Sequence, residues 1–144
     1  TAPDEWYVWE TKLEAGSEAT PFVARPYGEE LALCLRYFWR IANEIGFHNV
    51  TNMAAWSPTN AYGTLQFPVR MRAAPTSSNS GAAYFNLSGA GVNHVPTLVS
   101  CDARTTWSGQ MYTASTGLTT GYAYWLRFSN SSSSGKYLDF DAEL

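Results

Sequence analysis

Tyr122-Ala123-Tyr124-Trp125-Leu126-Arg127-Phe128-Ser129 decides the fold class. Tyr122, Tyr124, Leu126 and Phe128 recur at every second position, the period of a half-buried strand, whereas a helix would need spacings of three and four. A second stretch, expected as a strand over Ala61–Ala73, repeats the pattern. Leu65, Phe67, Val69 and Met71 form one apolar face, with Gln66, Pro68, Arg70 and Arg72 opposite. Pro68 has no N–H to give a ladder, so that strand belongs at an edge or carries a bulge.

Working outward, further strands are expected over Phe47–Trp56, Ala82–Leu87, Val95–Asp102, Thr106–Ala114 and Tyr137–Leu144. Glu5–Leu13 also reads as a strand. The breaks carry turn chemistry: Ser57-Pro58-Thr59-Asn60, the Ser-rich run from Pro75 to Gly81, Gly89-Ala90-Gly91, Gly117, and Asn130 to Gly135. One helix is expected. Gly28 can cap it, Glu29 and Glu30 suit the positive end of the helix dipole, and Leu31, Leu35 and Phe38 follow at helical spacing. The β-formers Tyr37-Phe38-Trp39-Arg40-Ile41 should end that helix near Leu35 or Arg36 and start a strand; a helix running on through Ile41 is the alternative. The expected fold is all-β: a jelly-roll-like β-sandwich with one short helix near the N-terminal third. Residues 1–26 read as an N-terminal strand and connector, and 27–144 as the terminal sandwich domain. Thr1 is no initiator, so the chain reads as a fragment or processed product.

Composition narrows the chemistry. Between Glu44 and Asp139 the only acidic residue is Asp102, while charged residues make up 15% of the chain and aromatics another 15%. Glycoside cleavage and hard-metal binding need convergent carboxylates, and general acid/base work needs carboxylates or histidines in reach of one another. Their scarcity points to recognition or assembly, not to an enzyme. A net charge of −3 gives no basic footprint for nucleic acid. No apolar run approaches the ~20 residues that span a bilayer, so membrane insertion is not expected.

His48 or His94 with Ser100 or Cys101 and Asp102 would spell a hydrolytic triad on paper, but no Gly-x-Ser-x-Gly elbow is present. Two histidines and two distant cysteines give no zinc spacing, and no metal or cofactor is expected. Cys34, inside an apolar run, reads as a buried thiol. Asp139 and Asp141 share one strand face and read as solvated. Arg70 and Arg72 read as an outward face, or as partners for the acidic first third. Trp39 and Trp125 fall within apolar strand patterns and read as core or interface.

Sugar rings stack on exposed aromatics while amides and hydroxyls fix their orientation. Trp56 lies beside the turn that holds Asn60, and Trp107 lies between Thr106 and Ser108, with Tyr62, Gln110 and Tyr112 near in sequence. These six are the candidate glycan-binding residues. They could equally close the ends of the core or pack between subunits.

Three segments carry a resemblance. Ala19 to Phe38 contains Gly28-Glu29-Glu30-Leu31-Ala32-Leu33-Cys34-Leu35-Arg36-Tyr37-Phe38; Phe67-Pro68-Val69-Arg70-Met71-Arg72-Ala73-Ala74-Pro75-Thr76 follows; Asp141-Ala142-Glu143-Leu144 closes the chain. In that order they resemble the pattern GEELALCQRYF, FPVxMRAxPT and DAEL of bacteriophage tail-fibre and related virion appendage proteins. Leu35 departs from the usual Gln, and Val23 from the usual acidic residue. The resemblance implies a distal domain of a homotrimeric fibre in a virion, on tail or head, assembled in the host cytoplasm. The implied partners are other copies of the chain, other appendage proteins and a host-surface glycan, with no catalysis. A purely architectural trimerisation module, or the non-catalytic end of a polysaccharide-degrading spike, are the alternatives.

Overall fold

The computed structural model describes residues 15–18, 20–21, 23–43, 48–89, 91–102, 104–129 and 135–143. The strand expected over Glu5–Leu13 lies outside them. Helix α1 (Tyr27–Leu35) is followed by β1 (Phe38–Asn43), β2 (Asn49–Ser57), β3 (Asn60–Gln66), β4 (Thr76–Asn79), β5 (Phe85–Gly89), β6 (Val92–His94), β7 (Leu98–Asp102), β8 (Ser108–Ala114), β9 (Ala123–Phe128) and β10 (Lys136–Asp141), with a single 3₁₀ turn at Ala82–Tyr84.

The strands make two antiparallel sheets, β1-β10-β4 and β6-β5-β9-β2-β3-β8-β7. The outermost strands of the larger sheet, β6 and β7, are joined by residues 95–97 alone, which span no more than ~14 Å. That sheet is therefore curled. Thr97 N donates to Ala114 O at 2.8 Å, drawing the short link against β8. Beside β7 lies β4, held by side chains: Asn79 Nδ2 donates to Val99 O (3.0 Å) and Ser77 Oγ to Cys101 O (3.4 Å). The all-β sandwich expected from the sequence is what forms.

The core fills the space between the sheets. Leu138 and Phe140 of β10 point inward and are fully buried, meeting Met53, Leu65, Leu87, Met111, Leu126 and Phe128 from the curled sheet. Trp39 stacks on Phe140 (5.5 Å between centroids) and meets Phe67 edge-on at 5.9 Å. Burying a side chain of this size is worth roughly 1.5–3 kcal/mol. Lys136, among the most buried residues, donates Nζ to Ser129 O at 2.6 Å.

Several expectations are corrected. The ladder expected through Ala73 stops at Gln66. Beyond it Phe67 and Met71 stay buried, and their N–H groups donate to Trp107 O (2.9 Å) and Thr106 O (2.8 Å) instead of to a neighbouring strand. Part of the Ser-rich stretch read as a break is β4, paired with β10 from Thr76 to Asn79. Ala82–Tyr84 is a helical turn, so the next strand starts at Phe85. Tyr122 precedes β9 and is exposed. Helix α1 ends at Leu35 and β1 begins at Phe38, as the β-formers required. Cys34 is exposed, not buried, because α1 stands outside the sandwich and buries none of its residues.

Asp139 is not solvated. It is 7% exposed and paired with Arg40, whereas Asp141 is exposed and accepts a hydrogen bond from Glu143 N at 2.8 Å. Arg70 and Arg72 lie outside any strand, over the rings of Trp107 (5.7 Å) and Tyr37 (5.5 Å). Among the described residues they form no pair with the acidic first third.

Candidate functional site

Side-chain alternation sorts β3 and β8 into two faces. Ala61, Leu65, Met111 and Thr113 point into the core, so Asn60, Tyr62, Gln110 and Tyr112 point outward. Tyr62 and Tyr112 are direct cross-strand partners, with ring centroids 5.2 Å apart and planes inclined by 43°. Tyr112 Oη donates to Asn60 Oδ1 at 3.0 Å. Four of the six candidate residues thus form one aromatic and amide surface. Toward β7 that surface continues into Ser100, opposite Tyr112, and Asp102, opposite Gln110.

The two candidate tryptophans do not join it as a single site. Asn60 and Gln66, at opposite ends of the β3–β8 ladder, are six residues apart, or ~20 Å at strand rise. Trp56 belongs to the Asn60 end and Trp107 to the Gln66 end. Trp56 is the extra residue of a β-bulge: Ala55 pairs Ala61 and Ser57 pairs Asn60, leaving it unopposed and 78% exposed. Trp107 sits in the turn before β8, where Thr105 Oγ1 accepts its backbone N–H at 3.1 Å and Arg70 lies over its ring.

Trp125, expected in the core or an interface, is not in the core. Tyr124, Leu126 and Phe128 point inward, so Trp125 faces out, opposite Asn52 of β2, and is 53% exposed. The signal was in the sequence: Trp125 has the opposite parity to the apolar residues that identified the strand. Trp39, by contrast, packs against the core.

The residues of the paper triad point different ways. Cys101 faces the core, and burial pushes its thiol up to about 11, away from a thiolate. Ser100 faces outward and donates to Asp102 Oδ2 at 3.2 Å. His94 meets the Tyr124 ring edge-on at 5.7 Å, and His48 lies 6.4 Å from the Phe128 ring. Among the described residues no three of His, Cys, Asp and Glu come together to hold a metal ion, and no helix is long and apolar enough to cross a membrane.

The three segments singled out in the sequence meet at one corner. Phe38 pairs Asp141, and Asp141 pairs Thr76, across β1-β10-β4. Arg72 N donates to Arg36 O at 2.8 Å, and Ala142 N to Tyr37 O at 2.7 Å. Comparison of the chain with protein-family models, with curated proteins and with solved structures found no match.

Proposed function

We propose that the chain is the terminal domain of a homotrimeric bacteriophage fibre, on tail or head, that contacts a host-surface glycan through the outer face of its seven-stranded sheet. The observation that carries the reading is α1. None of its nine residues is buried within the subunit, and only Ala32 and Leu35 are partly covered; an isolated helix shorter than ~12–15 residues is marginal in water. Its N-cap, Pro26, makes no side-chain cap. Tyr27, Leu31 and Leu33 are exposed along it, and Tyr37 and Phe38 are exposed just beyond. So many exposed apolar side chains on one short segment suit an interface. Symmetry mates in a fibre would cover it.

The resemblance supports the same reading. Its segments are far apart in sequence yet bonded to one another at a single corner, so they act as one structural unit. The glycan half rests on Asn60, Tyr62, Gln110 and Tyr112, which offer stacking surfaces and neutral hydrogen-bonding groups.

Analytical ultracentrifugation of the chain tests assembly. A trimer that becomes a folded monomer in the Leu31→Glu/Leu33→Glu variant is expected. A well-folded wild-type monomer at micromolar concentration overturns the assembly half. A glycan array tests attachment: retention of a glycan, lost in Tyr62→Ala, is expected, and trimeric protein that retains none leaves an architectural module.

A further inference from the structure

Trp125 and Tyr62 stand on the same outward face of the curled sheet, with only β2 between their strands. Across that gap the outward residues are small. Ala123 of β9 pairs Ala54 of β2, Ala54 pairs Tyr62 of β3, and Tyr62 pairs Tyr112 of β8. We propose that a neutral oligosaccharide lies across the strands here, one ring on Trp125, another on the Tyr62–Tyr112 pair, and the chain between them over the two alanines. The inference rests on the reading of this face as glycan-contacting and gives that contact a direction, a length and a ligand class.

Spacing sets the length. β9 and β3 are two strand separations apart, ~10 Å, and Trp125 lies two residues along β9 from Ala123, a further ~7 Å. A single sugar ring cannot rest on both aromatic platforms, whereas a chain of several rings can. Ala54 and Ala123 are exposed, and their methyl groups leave a low floor between the taller rings on either side. At the Trp125 end the floor deepens into a trough of about 610 Å³, bounded by Ala123, Trp125 and Asn52 and walled on the far side by Asn93 of β6. That volume falls within the ~300–1,000 Å³ of small-molecule sites.

The polar groups select a neutral, hydroxyl-rich chain. An asparagine stands at each end with its carbonyl oxygen already taken. Asn93 Oδ1 accepts from Ser88 Oγ and from Arg127 Nη2, the latter at 2.8 Å, and Asn60 Oδ1 accepts from Tyr112 Oη at 3.0 Å. Each carboxamide is thereby fixed with its Nδ2H₂ end as the donor a sugar oxygen would meet. Asn52, opposite Trp125, adds a third amide midway. The charged side chains of this face are confined to its margins. Arg127 is engaged in the Asn93 wall, and Asp102 accepts from Ser100 Oγ at 3.2 Å. Between them the outward residues of β9, β2, β3 and β8 carry no charge, so an ionised sugar would lose water there without gaining a counter-charge.

Calorimetric titration of the full chain tests the proposal, with gluco-, manno- and galacto-oligosaccharides from monosaccharide to hexasaccharide, and with oligogalacturonides beside their carboxyl-reduced forms. Melting curves for every variant confirm folding. The expected result is at least one neutral tetrasaccharide bound tenfold or more tighter than its own monosaccharide. Trp125→Ala and Tyr62→Ala should each weaken it at least tenfold. Ala54→Gln, which raises the floor, should do the same, while Trp107→Ala, in the turn before β8, should not. Equal affinity for short and long oligomers overturns the crossing chain and keeps the glycan-contact reading. Binding lost in Tyr62→Ala but indifferent to Trp125→Ala and Ala54→Gln does likewise. An oligogalacturonide bound tenfold tighter than its reduced form overturns the neutral class. No saccharide bound by any folded form overturns both the inference and the reading beneath it.

Discussion

Arg40 and Asp139 face each other across β1 and β10 in a two-pronged bond, Nε to Oδ1 and Nη2 to Oδ2, each 2.7 Å. The guanidinium also lies over the rings of Tyr137 (5.0 Å) and Phe38 (5.5 Å). The hydrogen bonds that Arg40 donates to Asp139 are the main reason that the Arg40 pKa is raised above its ordinary value. A base whose pKa rises on folding contributes stability below that value, so the contribution persists through the whole working pH range. Arg40→Met should lower Tm more than Arg40→Met/Asp139→Leu, because the single change strands a buried carboxylate and the double change removes it. Thermal melts of the two variants check this; equal losses would mean that the pairing contributes nothing.

The two cysteines should report opposite environments. Cys34 is exposed and Cys101 is 1% exposed. A chromogenic disulfide reagent should therefore titrate one thiol at pH 8 in the folded, monomeric Leu31→Glu/Leu33→Glu variant and two in denaturant. Burial pushes the Cys101 thiol from an unfolded value of ~8.5 to about 11. The unfolded chain then loses its proton first as pH rises, so stability should fall between these values. Cys101→Ala should flatten that slope in denaturant titrations at pH 8, 9 and 10. An unchanged slope refutes the assignment.

Gly109 and Cys101 share one space in the core. A Cβ built on Gly109 would collide with Cys101 Sγ, while its next neighbours, Arg104 Cγ and Phe67 Cζ, lie at ordinary distances of 3.5 and 3.8 Å. Gly109→Ala alone should cost ~1–3 kcal/mol by overpacking. Joined with Cys101→Ala, which vacates the sulfur's volume, it should cost less than the two single changes summed. A double-mutant cycle by denaturant unfolding measures this, and strict additivity would count against a shared space.

Trp107 and Tyr62 should separate stability from recognition. Trp107→Ala removes a cation–π contact with Arg70, worth ~0.5–1 kcal/mol at an exposed site, and should leave glycan retention intact. Tyr62→Ala should do the reverse, since its ring packs on Tyr112 at the surface, outside the core. Parallel melts and array measurements distinguish the two, and loss of retention in Trp107→Ala would relocate the contact.

The class of fold was legible because inward residues such as Tyr124, Leu126 and Phe128 keep strict alternation. The same rule assigned Trp125 to the other face, yet its apolar character outweighed its parity in the reading. Phe67 to Met71 alternate too, but both bury against turns, so alternation there recorded burial without a ladder. β4 was illegible for the opposite reason. Its Thr76-Ser77-Ser78-Asn79 has no apolar face, and the strand exists because β10 on one side and the Val99 and Cys101 carbonyls on the other satisfy its polar groups. Of the candidate site, Asn60, Tyr62, Gln110 and Tyr112 were legible as a group. Strand β6 was not, because its three residues carry no strand signal.

The place of β10 in the middle of its sheet sets the order of biogenesis. Both its neighbours, β1 and β4, are synthesised earlier, and neither pairs with the other. On the ribosome, Trp39 and the edges of β1 and β4 therefore wait, unsatisfied, until the segment ending at Asp141 emerges. Contacts of such long sequence separation make for slow folding and for nascent chains prone to sticking. This sheet thus cannot close before β10 has been made, and the interval before that is when the nascent chain is most exposed to mispairing.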